Sequence, residues 1–352
     1  MNRFDYVKPA SVAAAIEAAS SPGAAYLASG TNLLDLMKGD IVRPTRLVDI
    51  SKLPELNRIE RLSNGDVRIG ALVRNADLAH DAAFAKDFPA IAEALLSGAS
   101  AQLRNAATVG GNLLQRTRCN YFYDTASACN KRIPGSGCDA SDGDNRQHAV
   151  LGWSQSCIAT NPSDFCVPLA AFDAIVEIEG RHGHSEVPLE ALHLLPGTTP
   201  QRDTVLEPGE IIVAIRIPAA ARNFARHARY LKVRERTSYA FAVASVAAGL
   251  VIENGIISEA RLALGGVAAK PWRAHSAETL LAGRRAGTDA YQAAADAALA
   301  DAKPSGDNAY KIPLARNLIV RALHAAAAGT PDRVPALPGS PFSSVPGVPH
   351  DA

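Results

Sequence analysis

Cys119, Cys129, Cys138, Cys157 and Cys166 are the only cysteines in the 352-residue sequence, and they fall in one stretch near its middle. The first three lie in RTRCNYFYDTASACNKRIPGSGC, residues 116–138, where Gly, Asn and Ser replace any regular apolar pattern. Five cysteines are too few to staple a chain of this length, and an odd number does not pair off. The opening MNRFDYVKPASV has no apolar segment of the kind that a secretory signal needs, so no export signal of the chain's own is expected. Clustering without such a signal favours metal over disulfide. The spacing C-x9-C-x8-C-x18-C lacks the close C-x2-4-C pairs of a zinc ribbon. It suits an iron–sulfur cluster pinned by a long irregular loop, for which four thiolates are the usual complement. On the residues alone, free buried thiols stay open as the rival.

Two glycine loops could do a different kind of chemistry. ASGTN at 28–32 and TVGGN at 108–112 each let backbone approach a ligand, and consecutive amides can surround a phosphate. If they converge, they could hold a dinucleotide's pyrophosphate from two sides. Neither matches the Rossmann or Walker A pattern. An ordinary strand-to-helix turn is the plain alternative for each.

The elements around these residues read as mixed α and β. Ser11 is placed to cap a helix through 20. Strands are expected at 25–28, 46–50 and 66–71, and helices at 75–81 and 89–97. Periodicity then disappears from 116 to about 146, a length that inside a compact domain marks function or disorder. It returns as helix at 163–171 and strands at 174–179 and 210–217, with a linker at 219–226. Strands at 228–234, 241–252 and 256–264 follow, the last two joined by a Glu253-Asn254-Gly255 turn. Helices near 276–283, 289–300 and 313–328 complete an antiparallel sheet with helices on one side.

Charge narrows the partners. With 36 basic against 35 acidic residues and no basic block, a nucleic-acid partner is not expected. No apolar run reaches the roughly 18–20 residues that cross a bilayer, so no membrane insertion is expected.

ASGTNLLDLMK followed by QLRNAATVGGNLLQ resembles the FAD-binding subunit of the xanthine dehydrogenase, or molybdenum hydroxylase, family. KVRERTSYAFAVASVA and LALGGVAAKPWRA extend the resemblance over about residues 1–330. The cysteine stretch through RQHA is similar to the flavoprotein subunit of periplasmic aldehyde oxidoreductases, which carries an extra 4Fe–4S cluster. A comparable insertion in 4-hydroxybenzoyl-CoA reductase is the nearer rival. One departure is Ser29, where the family's first loop has Gly.

The resemblance implies an α+β chain. A PCMH-type two-part FAD-binding domain would span 1–221, with a 4Fe–4S loop insertion at about 116–158. A CO dehydrogenase flavoprotein C-terminal-like domain would follow at 226–330, then a Pro-rich tail at 331–352. FAD would lie against Ala28, Ser29, Gly30, Thr31, Asn32, Leu33 and Leu34, and against Thr108, Gly111 and Asn112. Asp164 would meet cofactor hydroxyls, Lys232 would lie near the FAD, and Tyr239 could cover its ring. The plain readings are a helix cap for Asp164 and an exposed strand charge for Lys232. Cys119, Cys129, Cys138 and Cys157 would hold the cluster, leaving Cys166 as a packed thiol. Arg118, Lys131 and Arg132 could offset cluster charge, and His148 is a possible donor to a cysteine, though a lone His is more often structural.

The implied function is electron transfer within a molybdenum-dependent aldehyde oxidoreductase, from partner iron–sulfur clusters through FAD to an external acceptor. The chain holds no C-x4-C-x2-C ferredoxin motif and no molybdopterin sequence, so a small 2Fe–2S subunit and a large molybdopterin subunit would complete a heterotrimer. Co-export with a signal-bearing partner would place it in the periplasm; otherwise it stays in the cytoplasm. Two rivals remain: an enzyme on the same FAD fold that reduces an aryl-CoA or a nucleotide sugar, and a non-enzymatic zinc-stabilised interaction module.

Overall fold

The computed structural model describes residues 1–332, so all but the first two residues of the Pro-rich tail lie outside the described residues. Three sheets organise the chain. In the first, β1 (Asp5–Val7), β2 (Ala24–Leu27) and β3 (Arg46–Asp49) run parallel in the order β1-β3-β2. Parallel neighbours need crossovers, and the helix Val12–Ala19 supplies one. Ser11 caps it by accepting from the Ala14 amide at 3.2 Å. Val12, Ala15, Ile16 and Ala19 recur at helical spacing and are buried against Val48, Ile50, Leu53 and Leu56.

The second sheet contains β4 (Ile59–Arg61), β5 (Val67–Gly70), β6 (Ile175–Gly180), β7 (Gly183–Pro188) and β8 (Ile211–Ile217), in the order β4-β5-β8-β6-β7 with antiparallel neighbours. β8 is central, and its IIVAIRI sequence is buried at every position but Arg216. Between β5 and β6 the chain leaves for about a hundred residues and builds the helical layer that packs on this sheet. Ile91, Leu95, Val109, Phe165 and Leu169 share its core. The segment expected as a linker is a 3-10 helix, Ala219–His227, which buries Ala221 and Phe224.

The third sheet is antiparallel: β9 (Ala228–Val233), β10 (Ala244–Glu253), β11 (Ile256–Gly265) and β12 (Trp272–Arg273), in the order β12-β11-β10-β9. Asn254 and Gly255 both have positive φ, 51° and 78°, which is the primed hairpin turn that an Asn-Gly pair favours. The helices His275–Leu281, Thr288–Ala298 and Lys311–Ala327 share the core of this sheet. β10 begins at Ala244 rather than 241, and Phe241 is exposed. Among the described residues, no helix is long and apolar enough to cross a membrane.

Arg273 ties the two halves together. Its side chain is buried; it pairs with Glu278 and donates to Asp173 at 2.8 Å and to the Ala170 carbonyl at 2.6 Å. Arg273→Met would leave the buried Glu278 carboxylate with only the Leu262 amide and the His275 ring beside it. Breaking a buried pair from one side costs about 3–5 kcal/mol. Urea unfolding of this variant is expected to show a loss of that size.

Candidate functional site: two clefts and a cysteine cavity

The larger cleft, about 540 Å³, lies between the first glycine loop, the start of the second, and the start of β8. The first loop connects β2 to the helix Leu33–Lys38. Gly30 has φ 76°, and a Cβ there would sit 2.6 Å from Leu34 Cδ1, so the loop's path requires Gly. Among the described residues, the amides of Gly30, Thr31 and Asn32 donate to no protein acceptor. Asn32 Oδ1 accepts from the Arg116 amide at 3.0 Å, while its Nδ2 is buried without a partner. This side of the cleft therefore offers several unspent N–H groups to an acceptor-rich ligand.

The second loop is built differently. Thr108 Oγ1 accepts from the Gly111 amide at 3.3 Å and caps the short helix Val109–Leu113. The Val109 and Gly110 amides go to the Val73 and Ala71 carbonyls, both at 2.9 Å. A Cβ on Gly110 would come within 2.8 Å of Ala71 Cβ. Here glycine serves close packing against β5's continuation, and its amides are already used. Of the two loops that could hold a pyrophosphate from two sides, one has free donors and the other is a tightly packed wall.

A smaller cleft, about 150 Å³, lies where the two halves meet, lined among others by Arg118, Cys119, His148, Ser163, Asp164 and Phe241. Asp164 is the charged centre of its wall. Its carboxylate accepts from Lys232 Nζ at 2.8 Å and from the Tyr230 hydroxyl at 2.5 Å. Lys232 also reaches the Ser97 carbonyl at 3.1 Å, and its side chain is only 4% exposed. Burial, with the Asp164 charge adding to it, pushes the Tyr230 phenol well above its ordinary value, so it stays a donor. Asp164 is thus an ion-paired carboxylate and not a free helix cap, and Lys232 is not an exposed strand charge.

Cys119, Cys129, Cys138 and Cys157 line a third cavity. The loop around it is ordered by polar contacts. Cys129 and Cys138 form an isolated antiparallel bridge, the Cys129 amide donates to Ser136 Oγ at 3.0 Å, and Asn130 exchanges hydrogen bonds with Gly137. Gly135 and Gly137 have φ 83° and 106°. All five cysteines are free thiols, and among the described residues no three His, Cys, Asp or Glu groups gather as a single metal ion would require. Burial pushes the Cys119 thiol up to about 12 and raises Cys157 as well. His148 Nε2 lies 3.2 Å from Cys119 Sγ, and burial pushes the imidazole's pKa down.

Of the residues named from the sequence, Ala28, Ser29, Gly30, Thr31, Asn32, Leu33, Thr108 and Gly111 line the larger cleft. Leu34 and Asn112 line neither cleft. Asn112 Oδ1 instead accepts from Ser163 at 2.8 Å, linking the second loop to the Asp164 segment. Tyr239 is exposed with φ 50°, and it is Phe241 that lines the smaller cleft. Cys166 is fully buried and faces none of these cavities. Arg132 donates to the carbonyls of Tyr121, Phe122 and Ser127; Arg118 stacks on Phe241 at 4.8 Å. Lys131 lines the cysteine cavity but pairs with Asp203, which also pairs with Arg116 on the larger cleft. Arg116, Asp203 and Tyr230 were missed. Arg116 stood in the cysteine stretch, but nothing local marks the other two.

Comparison with known proteins gives the family. Residues 2–220 match the family described as the FAD binding domain in molybdopterin dehydrogenase, and residues 229–326 match the CO dehydrogenase flavoprotein C-terminal domain. The chain therefore belongs to the molybdopterin dehydrogenase FAD-binding family: it is an FAD-binding medium subunit of the molybdenum hydroxylase class, an oxidoreductase component with a PCMH-type domain before an antiparallel C-terminal domain. It is 47% identical over 325 residues to the aldehyde oxidoreductase FAD-binding subunit PaoB of Escherichia coli strain K12, covering 92% of this chain and 98% of that one. It is 31% identical over 330 residues to the carbon monoxide dehydrogenase medium chain of Hydrogenophaga pseudoflava, covering 92% and 97%. A solved structure of that organism's carbon monoxide dehydrogenase, lacking the Mo-pyranopterin moiety, superimposes with a TM-score of 0.73 at 30% identity, covering 93% of this chain and 98% of the other.

Asp164→Asn would strand the Lys232 ammonium in the interface. A loss of about 3–5 kcal/mol is expected in urea unfolding. Adding Lys232→Met should recover more than half of it, because the double variant buries no unpaired charge; a strictly additive double variant would count against the coupling.

Proposed function

We propose that this chain is the FAD- and 4Fe–4S-binding electron-transfer subunit of a molybdenum-dependent aldehyde oxidoreductase. The observation that carries the reading is the convergence of Cys119, Cys129, Cys138 and Cys157 on one cavity that shares Cys119 with the cleft beside Asp164. The likeness to a subunit named for aldehyde oxidoreduction supports the substrate class. The C-x9-C-x8-C-x18-C spacing lacks the close cysteine pairs of a zinc ribbon, which favours a multi-iron cluster over zinc.

The residues present fit both groups. Free amides at Gly30 to Asn32 and the unpartnered Asn32 Nδ2 suit the pyrophosphate of FAD, with Ala28, Ser29, Leu33, Thr108 and Gly111 shaping the cleft. Leu34 and Asn112 would support it from behind. Asp164 and Lys232 would orient the cofactor where the two halves meet. Bound here, the flavin supplies a carrier that exchanges electrons singly or in pairs, and the cluster one that exchanges them singly. The protein's part is to bind, orient and keep water from these groups.

In this reading a small 2Fe–2S subunit and a large molybdopterin subunit complete a heterotrimer, and an external acceptor takes the electrons. Domain boundaries at 221 and 226, with an insertion at about 116–158, follow from the same reading. A signal-bearing partner would carry the folded chain to the periplasm; without one it stays in the cytoplasm.

The test is a pair of variants in the anaerobically purified assembly, analysed for flavin, iron and sulfide. Cys138→Ser should remove about four irons per chain and leave the flavin. Gly30→Val should remove flavin and leave that iron. If iron survives in Cys138→Ser, the four-cysteine assignment is wrong.

A further inference from the structure

We propose that His148 is a positioning residue for Cys119: its Nε2–H holds the Cys119 sulfur and so sets the reduction potential of the cluster bound there. The inference rests on the cluster reading above and adds a specific role to a residue that this reading leaves unused. The contact is 3.2 Å, and among the described residues no other side chain brings a donor to any of the four sulfurs. Cys119 is also the one cysteine of the four that lines both its own cavity and the smaller cleft. The hydrogen bond therefore falls on the cysteine that borders the cleft beside Asp164.

The peptide that carries the imidazole is fixed, and with Nδ1 buried and without a partner among the described residues, Nε2 is the ring nitrogen that makes a contact. His148 is buried, and its amide donates to the Asn145 carbonyl at 2.9 Å. Its own carbonyl accepts from Asn308 Nδ2 at 3.1 Å and from Lys311 Nζ at 2.9 Å. Lys311 reaches the Gln147 and Gly266 carbonyls as well, at 2.9 and 2.6 Å. Asn308 and Lys311 are themselves fully buried in the C-terminal half. Two enclosed polar side chains thus spend their donors on fixing the peptide that carries the ring, and groups behind a metal ligand are where orientation and potential are set.

A donor on a cluster sulfur draws off electron density and favours the reduced cluster. Removing it should move the midpoint potential to more negative values. The experiment is an EPR-monitored redox titration of the full assembly, with iron and sulfide counted in parallel. His148→Phe and His148→Leu are expected to keep wild-type iron and sulfide and to titrate at more negative potential. His148→Gln, which retains an N–H donor, should recover part of the shift. A wild-type midpoint in either apolar variant with full iron overturns the inference. So does loss of the cluster from all three variants, which would make His148 a support of the loop fold and not of the sulfur. Wild-type protein without iron would overturn the cluster reading itself, a result distinct from both.

Discussion

The carboxylate of Asp164 is closed off from water, and a charge in that position must be fully paired or it costs several kcal/mol. Tyr230 and Lys232 do the pairing, and they lie two residues apart on β9. Residues at that spacing share one face of a strand. The intervening Leu231, with Val233, turns the other way and packs against the core beneath the C-terminal helices. One strand is therefore buried on both faces, its apolar side toward its own domain and its polar side toward the other. Glu93 strengthens the arrangement by pairing with Arg229 and accepting from the Tyr230 amide. The seam between the two halves is thus specified by directional contacts, and the smaller cleft lies along that seam with Asp164 in its wall.

Four consecutive residues then thread the functional surfaces together. Arg116 lines the larger cleft, Arg118 the smaller one, and Thr117 and Cys119 both the smaller cleft and the cysteine cavity. Asp203 braces this thread from outside, pairing with Arg116 on one side and with the nearly enclosed Lys131 on the other. A displacement of the cysteine loop cannot be absorbed locally, since the same few peptides form the walls of both clefts. Close-packed interiors transmit such shifts.

Much of the scaffold was legible because it follows simple periods. The Ser11 cap, the short apolar run of β8, and the Asn254-Gly255 hairpin each carry a local signature with a single physical cause. β7 was missed: GHSEVP has few apolar residues, as suits an edge strand that need satisfy one neighbour only. The cysteine loop looked structureless because Asn130, Ser136 and Asp139 organise it by side-chain bonds to backbone, which have no period. The glycine loops and the cysteines were visible by composition. What the glycines do was not, since only the packing of Gly110 on Ala71 separates a wall from a cradle. Partners such as Tyr230 and Asp203 lie 66 and 72 residues from the groups they serve, beyond any local pattern.

The hold of the C-terminal half on the cysteine loop has a further consequence. Lys311 is buried with no carboxylate beside it among the described residues, and burial pushes its pKa from 10.5 down to about 7. Three carbonyls are its compensation, two from the loop's end at 147–148 and one from Gly266, the turn after β11. A loop that merely covered a core could be held by apolar side chains at lower electrostatic cost. Spending an enclosed ammonium and the enclosed Asn308 amide on neighbouring peptides instead fixes direction as well as proximity, which is what buried polar networks do when fully satisfied. The insertion is therefore part of both halves at once: its cysteines line one cavity, and its peptides at 147–148 are gripped from the C-terminal half. Its geometry is therefore tied to the contact between the two halves.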